Sequence, residues 1–195
     1  MPVTVYLVRD GKLAAERRLA PRTDAVARAA LDALGLGEIR SRVIADGTAT
    51  VELSPAPTGP EVAQVVYTLT EFPSVTRVAL GGKTWSRADF ELTGLVPAIL
   101  VVSPQPGDAI RSPVRVYGSA DTFEATFTIE LRDGSGGVVA STVVTATAGS
   151  GQRGSFDTSI PFPGAKPGDG TLVAFESSAE DGSRIHVVEI PVTLR

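Results

Sequence analysis

Between Gly59 and Leu80 the chain announces a helix, its stop and a following strand in immediate succession, and this tight sequence leaves few folds open. Pro60 suits a first helical position, since its missing N–H would have no partner there. Val62, Val65, Val66 and Leu69 then fall at i, i+3, i+4 and i+7, one apolar stripe that predicts a helix over Pro60–Glu71. Phe72-Pro73 ends it, because proline disfavours the helical conformation in the residue before it. Val75–Leu80 follows with strand-like composition.

The remainder of the first half obeys the same local chemistry. Val3–Val8 and Leu13–Arg18 flank Asp10-Gly11, and Arg42–Ala45 and Thr48–Leu53 flank Asp46-Gly47. Asp-Gly between alternating segments predicts a β-hairpin, because both turn positions need φ > 0. Thr23-Asp24 reads as a helix cap, with Val26, Ala29, Ala30, Ala33 and Leu34 on one face and Gly35 just past the end. The predicted order is β-β-α-β-β-α-β, an α+β domain of two layers in which both hairpins build one sheet and both helices cover one of its faces. Trp85, Phe90 and Leu92 are expected to close an open end of that core.

Helical periodicity stops near Pro97. From there seven short strands are expected, at Ile99–Ser103, Val114–Ser119, Ala125–Arg132, Val138–Ala146, Ser155–Ile160, Leu172–Ser177 and Ile185–Leu194. Turn residues recur between them, the pattern of an all-β, immunoglobulin-like sandwich. The chain has no cysteine and its sole tryptophan lies in the first half, so Val116, Phe127, Ile129, Leu131, Phe156, Val173, Phe175, Val187 and Ile190 are expected to supply this core. The predicted domains are 1–95 and 96–195.

Charge narrows the function. Residues 1–98 carry 11 basic and 11 acidic side chains and residues 99–195 carry 7 and 11, so the net charge of −4 belongs to the second half. Neither half makes a basic footprint for nucleic acid. Absence of cysteine excludes disulfides and thiolate chemistry. No apolar run reaches the ~18 residues of a membrane span, and Met1-Pro2 leads into strand residues without a signal-peptide pattern. Membrane association is therefore expected only through an anchor outside this chain.

Candidate chemistry is sparse. His186, the sole histidine, reads as a strand histidine in preference to a metal ligand. Asp89 and Glu91, after Trp85, have the spacing of an acid and base beside a sugar-stacking indole, but a solvated face with Trp85 as a core lid is the favoured reading. Gly134-Ser135-Gly136-Gly137 opens no helix and so cradles no phosphate. Asp133, Asp169, Glu180 and Asp181 read as solvated turn carboxylates, lacking the spacing of a calcium loop. Arg9, Lys12, Arg17 and Arg18 read as solubilising, edge-protecting charges. Leu53–Pro60 reads as a rigid Pro-rich connector. No catalytic, cofactor-binding or metal-binding residue is assigned.

Gly47–Ser54, Val65–Val75 with its Thr-Leu-Thr-Glu-Phe-Pro run, and Gly82-Lys83 resemble the GerMN (sporulation and spore germination) domain. Ser103–Gly107, Ser112-Pro113-Val114, Gly118-Ser119-Ala120, Phe123-Glu124-Ala125, Gly154-Ser155-Phe156 and Ser177–Gly182 resemble the immunoglobulin-like domain of bacterial spore germination proteins. The segment Gly35–Ser41 is shorter than its counterpart in that family. The resemblance implies an exported, often lipid-anchored envelope protein of a type found in actinobacteria as well as spore formers, with no catalytic residue set and no cofactor. It implies an assembly or partner-binding scaffold, its partners being envelope proteins or further copies of the chain. Strand addition at an exposed sheet edge is the physical means such domains offer. A cell-wall glycan module, with Trp85 in the site, is the alternative expectation.

Overall fold

The computed structural model describes residues 1–195, the side chain of Ser41 excepted. The chain divides into two compact units, Met1–Val96 and Pro97–Arg195. It is mostly β, with two α-helices, both in the first unit.

In the first unit β1 (Pro2–Arg9) and β2 (Lys12–Leu19) form an antiparallel hairpin, with Asp10 and Gly11 at φ of 48° and 76° as the Asp-Gly signal requires. Helix α1 (Val26–Leu34) ends on Gly35 in the left-handed conformation, whose N–H bonds to Asp32 O. β3 (Glu38–Ala45) and β4 (Thr48–Ser54) make the second hairpin, turning at Asp46-Gly47. Helix α2 (Pro60–Leu69) follows with Pro60 in its first turn and Ala63 through Leu69 all buried. β5 (Arg77–Leu80) runs parallel to β4, and β6 (Lys83–Trp85) returns antiparallel to β5.

Several expectations are corrected. The hairpins do not share a sheet: β1-β2 stands alone and β3-β4-β5-β6 forms a four-stranded sheet. The reason is local to the edge of β1, where Tyr6 N donates to Thr68 Oγ1 at 3.0 Å and Val8 N to Gln64 Oε1 at 3.2 Å. Side chains of α2 thus take hydrogen bonds that a neighbouring strand would otherwise supply. Helix α1 is preceded by Ala25 and has no side-chain cap; Thr23 Oγ1 accepts only from Ala25 N. Leu92 lids nothing, being 91% exposed, whereas Phe90 is buried.

The second unit contains β7 (Ile99–Ser103), β8 (Asp108–Ile110), β9 (Val114–Ala120), β10 (Thr126–Asp133), β11 (Val138–Thr145), β12 (Gly154–Ile160), β13 (Gly168–Ser177) and β14 (Arg184–Leu194). They form a five-stranded sheet, β11-β10-β13-β14-β8, and a three-stranded sheet, β12-β9-β7. Both inner faces contribute to one apolar core that includes Ile99, Val116, Phe127, Leu131, Phe156, Leu172 and Ile190. Phe127 meets Phe156 edge-on at 4.9 Å. Strand β8 was not expected; its three residues pair parallel with the end of β14.

Three of the anticipated core residues lie elsewhere. Leu172 and Ala174 face the core, so alternation turns Val173 and Phe175 to the opposite face of β13. They are buried there all the same, Phe175 under the Arg184 guanidinium at 4.0 Å. Val187 is 47% exposed, because the β13-β14 register shifts between Ala174 and Glu176 and His186 takes a φ of 53°.

Candidate functional site

The polar clusters of the first unit are engaged in holding it together. Tyr6 OH donates to Glu71 Oε2 at 2.7 Å, and Arg87 donates to the same oxygen at 2.9 Å, to Thr70 Oγ1 at 2.8 Å and to Tyr67 O at 3.2 Å. The Arg87 guanidinium also lies over the rings of Tyr6 and Tyr67. Burial drives the Tyr6 phenol well above the ordinary tyrosine range. Tyr67, Thr70 and Glu71 of the Thr-Leu-Thr-Glu-Phe-Pro segment thus tie the end of α2 to β1 and to the 3-10 turn Arg87–Phe90.

The residues singled out around Trp85 do not converge on a reaction centre. The indole stacks on Phe90 at 5.5 Å, carries the Lys83 ammonium 3.7 Å from its centroid and donates to Leu80 O at 3.3 Å. Asp89 accepts from Ser86 N at 2.7 Å and from Ser86 Oγ at 3.0 Å, closing a capping box. Those bonds hold its carboxyl below the usual range, the wrong direction for a general acid. Glu91 stands at the C-terminal end of the same turn.

The turn carboxylates have structural occupations too. Asp133 Oδ1 accepts from Ser135 N, Ser135 Oγ and Gly137 N, and Asp181 Oδ1 from Ser183 N and Oγ. On the first hairpin Glu16 pairs with Arg9 at 2.6 Å and with Arg18 at 3.2 Å. Among the described residues no group of three or more His, Asp or Glu is placed to hold a metal ion.

One end of the sandwich is differently built. Positive φ values occur at Glu124 (54°), Ala125 (58°), Ser150 (55°) and His186 (53°), each costly for a residue with a Cβ. Glu176, buried at the end of β13, secures this region: its Oε1 accepts from Phe123 N at 2.7 Å and its Oε2 lies 2.8 Å from His186 Nδ1. Thr122 O accepts from Ser150 N at 3.0 Å, and Asp121 Oδ1 from Gly151 N at 2.8 Å. A Cβ at Gly149 would lie 2.5 Å from both Thr122 O and Ala125 N, so only glycine fits. The result is a shallow cleft of 340 Å³ whose walls include Phe123, Thr126, Thr128, Val143 and Glu176. Phe123 is 58% exposed and Val143 71% exposed.

Val143 belongs to β11, the terminal strand of the five-stranded sheet, and no strand pairs with its outer side among the described residues. The other sheet edges are closed by recognisable means. β1 is covered by α2, β2 carries Lys12, Glu16, Arg17 and Arg18, and β3 carries Glu38, Arg40 and Arg42. β6 and β8 are three residues long, β7 is buried over four of its five residues, and β12 is centred on Asp157, paired with Arg115 at 2.6 Å. β11 has none of these protections against strand pairing. The sequence held a signal that pattern reading passed over: no charged residue occurs between Asp133 and Arg153.

The first unit mixes α and β, the second is an immunoglobulin-like sandwich, and one sheet edge of that sandwich is open. Residues 4–81 match the family model described as "Sporulation and spore germination", and residues 98–183 match that described as "Immunoglobulin-like domain of bacterial spore germination". The two domains thus follow one another in this order along the chain, and neither model describes an enzyme family. A search of curated proteins returned no match. Among solved structures, part of the chain is similar to "The crystal structure of CopC from Methylosinus trichosporium OB3b", with 16% identity over 47% of this chain and 86% of that chain and a TM-score of 0.32. No helix among the described residues is long and apolar enough to cross a membrane.

Proposed function

We propose that this protein is a non-enzymatic, extracytoplasmic envelope module that binds other proteins by strand addition at β11. The observation that carries the reading is the open, uncharged edge Val138–Thr145 in a chain whose other edges are covered, short or charged. Alternate N–H and C=O groups of an edge strand give a partner strand its affinity, and adjoining pockets give it selectivity. The Phe123 and Val143 cleft lies beside this edge and supplies such a pocket. The two domain matches support the envelope setting, and the full-length protein is held at the membrane surface by a lipid anchor; palmitate labelling of the native protein tests that part.

The docking reading is tested by in-cell crosslinking of the wild type and of Val143→Lys. A lysine at this position puts a charge on the edge without touching the core. Loss of the crosslinked partners, with an unchanged melting temperature, is the expected result. An unchanged partner set in the lysine variant overturns the reading.

A further inference from the structure

The open run on β11 has a defined midpoint. Ala146 N donates to Ala125 O at 2.8 Å, in line with the ladder that pairs Thr145 with Thr126 and Val143 with Thr128. Antiparallel ladders alternate bonded and non-bonded pairs. Val144 and Thr142 therefore bond inward to β10, and the N–H and C=O groups of Ser141, Val143 and Thr145 point outward. At one end this outward run stops at Thr147, whose N–H is taken by Ser155 O at 2.9 Å. At the other it stops where the register shifts: Leu131 pairs with Ala140 and Arg132 with Val138, leaving Val139 as the extra residue of a bulge. Midway between residues 139 and 147 stands Val143.

We propose that a second copy of this chain occupies the edge, the two β11 strands running antiparallel about a two-fold axis that passes between the two Val143 residues. The inference rests on the strand-addition reading above and names its occupant. In this register the outward groups of Ser141, Val143 and Thr145 meet those of Thr145, Val143 and Ser141 of the copy. Two five-stranded sheets become one. The pairing is isologous, so every residue near the axis meets itself or a close neighbour.

That symmetry is what makes the charge pattern informative. A charged residue near the axis would face its own copy across roughly 5 Å, which is destabilising, whereas Val–Val and Ser–Thr pairs are favourable. The other long exposed edges meet this condition less well: a two-fold axis at Arg17 of β2 or at Asp157 of β12 sets that charge against itself, and an axis midway along β3 sets Arg40 against Arg42. β11 meets it over its whole length, and the nearest charges in sequence are Asp133 and Arg153, beyond the bulge and the Thr147–Ser155 bond. The negative charge of the chain is screened over roughly 8 Å at physiological salt and does not forbid the contact.

The chain's lack of cysteine makes the test clean. Under mild oxidation Val143→Cys is expected to form a covalent dimer at least about tenfold faster than Leu92→Cys, a more exposed position in the other unit, because directly opposed residues lie within disulfide range. Val143→Lys and Val143→Glu are each expected to weaken self-association in sedimentation by about tenfold or more, and a mixture of the two to restore it. Restoration excludes misfolding as the cause. A wild type that stays monomeric at about 100 µM, with Val143→Cys no faster than Leu92→Cys, overturns self-pairing. If Val143→Lys then still abolishes the in-cell partners, strand addition stands with a different occupant; if it does not, both readings fall.

Discussion

The carboxylate of Glu176 lies 2.8 Å from Nδ1 of His186, linking the last buried residue of β13 to a bulge residue held at a φ of 53°. The same carboxylate holds Phe123 N through its other oxygen at 2.7 Å. One buried side chain thus ties together two non-ideal backbone segments beside the proposed docking edge.

Glu176→Ala is expected to destabilise the sandwich by about 2–3 kcal/mol, since it leaves a backbone donor without its charged acceptor. His186→Ala, at a half-exposed side chain, is expected to cost under about 1 kcal/mol. Glu176→Gln keeps an acceptor for Phe123 N and should fall between them. Urea denaturation of the three variants checks the order, and equal losses for the histidine and glutamate variants would remove the carboxylate from this role.

In the first unit the Tyr6–Glu71–Arg87 cluster predicts a specific pH behaviour. Burial is the main cause that raises the Tyr6 phenol, with Glu71 adding to it against the opposing charge of Arg87. A raised folded-state value means that its stabilisation is complete below the unfolded tyrosine pKa of about 10 and declines as pH rises above it. Ultraviolet titration of the wild type and of Tyr6→Phe should differ by one phenol that resists ionisation above pH about 10. Arg87→Ala is expected to cost about 2–3 kcal/mol, as it leaves Glu71 without its cation and two further acceptors unfilled.

Glu130 makes the converse case at acid pH. It is buried on the outer face of β10, bonded to Arg132 at 2.7 Å and to Arg184 at 2.6 Å. Burial by itself would raise its carboxyl, but the hydrogen bonds from Arg184 and Arg132 prevail and hold it below the usual glutamate range. Its contribution is therefore full above the unfolded value of 4.5 and is lost as pH falls below it. Glu130→Gln should lower stability by about 1–3 kcal/mol at neutral pH and flatten the acid limb of the stability curve. A variant with an undiminished acid slope would contradict this.

Gly149→Ala tests the packing of the strained end, where there is no space for a methyl group. The expected loss is about 1–3 kcal/mol. Thermal melting decides, and a wild-type midpoint would show that the Thr122–Ala125 loop tolerates displacement.

Much of the architecture was legible in residue order. Asp10-Gly11 and Asp46-Gly47 specify their hairpins and Gly35 the end of α1 by conformational preferences that act within a few residues. The two domains could be recognised in their order for the same reason, since helical periodicity ceases where the sandwich begins. The Thr-Leu-Thr-Glu-Phe-Pro segment announced its family but not its work: Glu71 finds Tyr6 and Arg87, 65 and 16 residues away in sequence.

The amino-acid order by itself determined the local elements, the succession of two domains and an edge strand free of charge, because turns, caps and alternation are short-range consequences of side-chain chemistry. Only the tertiary structure decided that the two hairpins lie in separate sheets, that Val173 and Phe175 turn away from the core, and that β11 is terminal in its sheet. These are matters of strand order and register, settled by contacts between residues far apart in the chain, and no short-range preference of β11 could have told whether another strand would come to lie beside it.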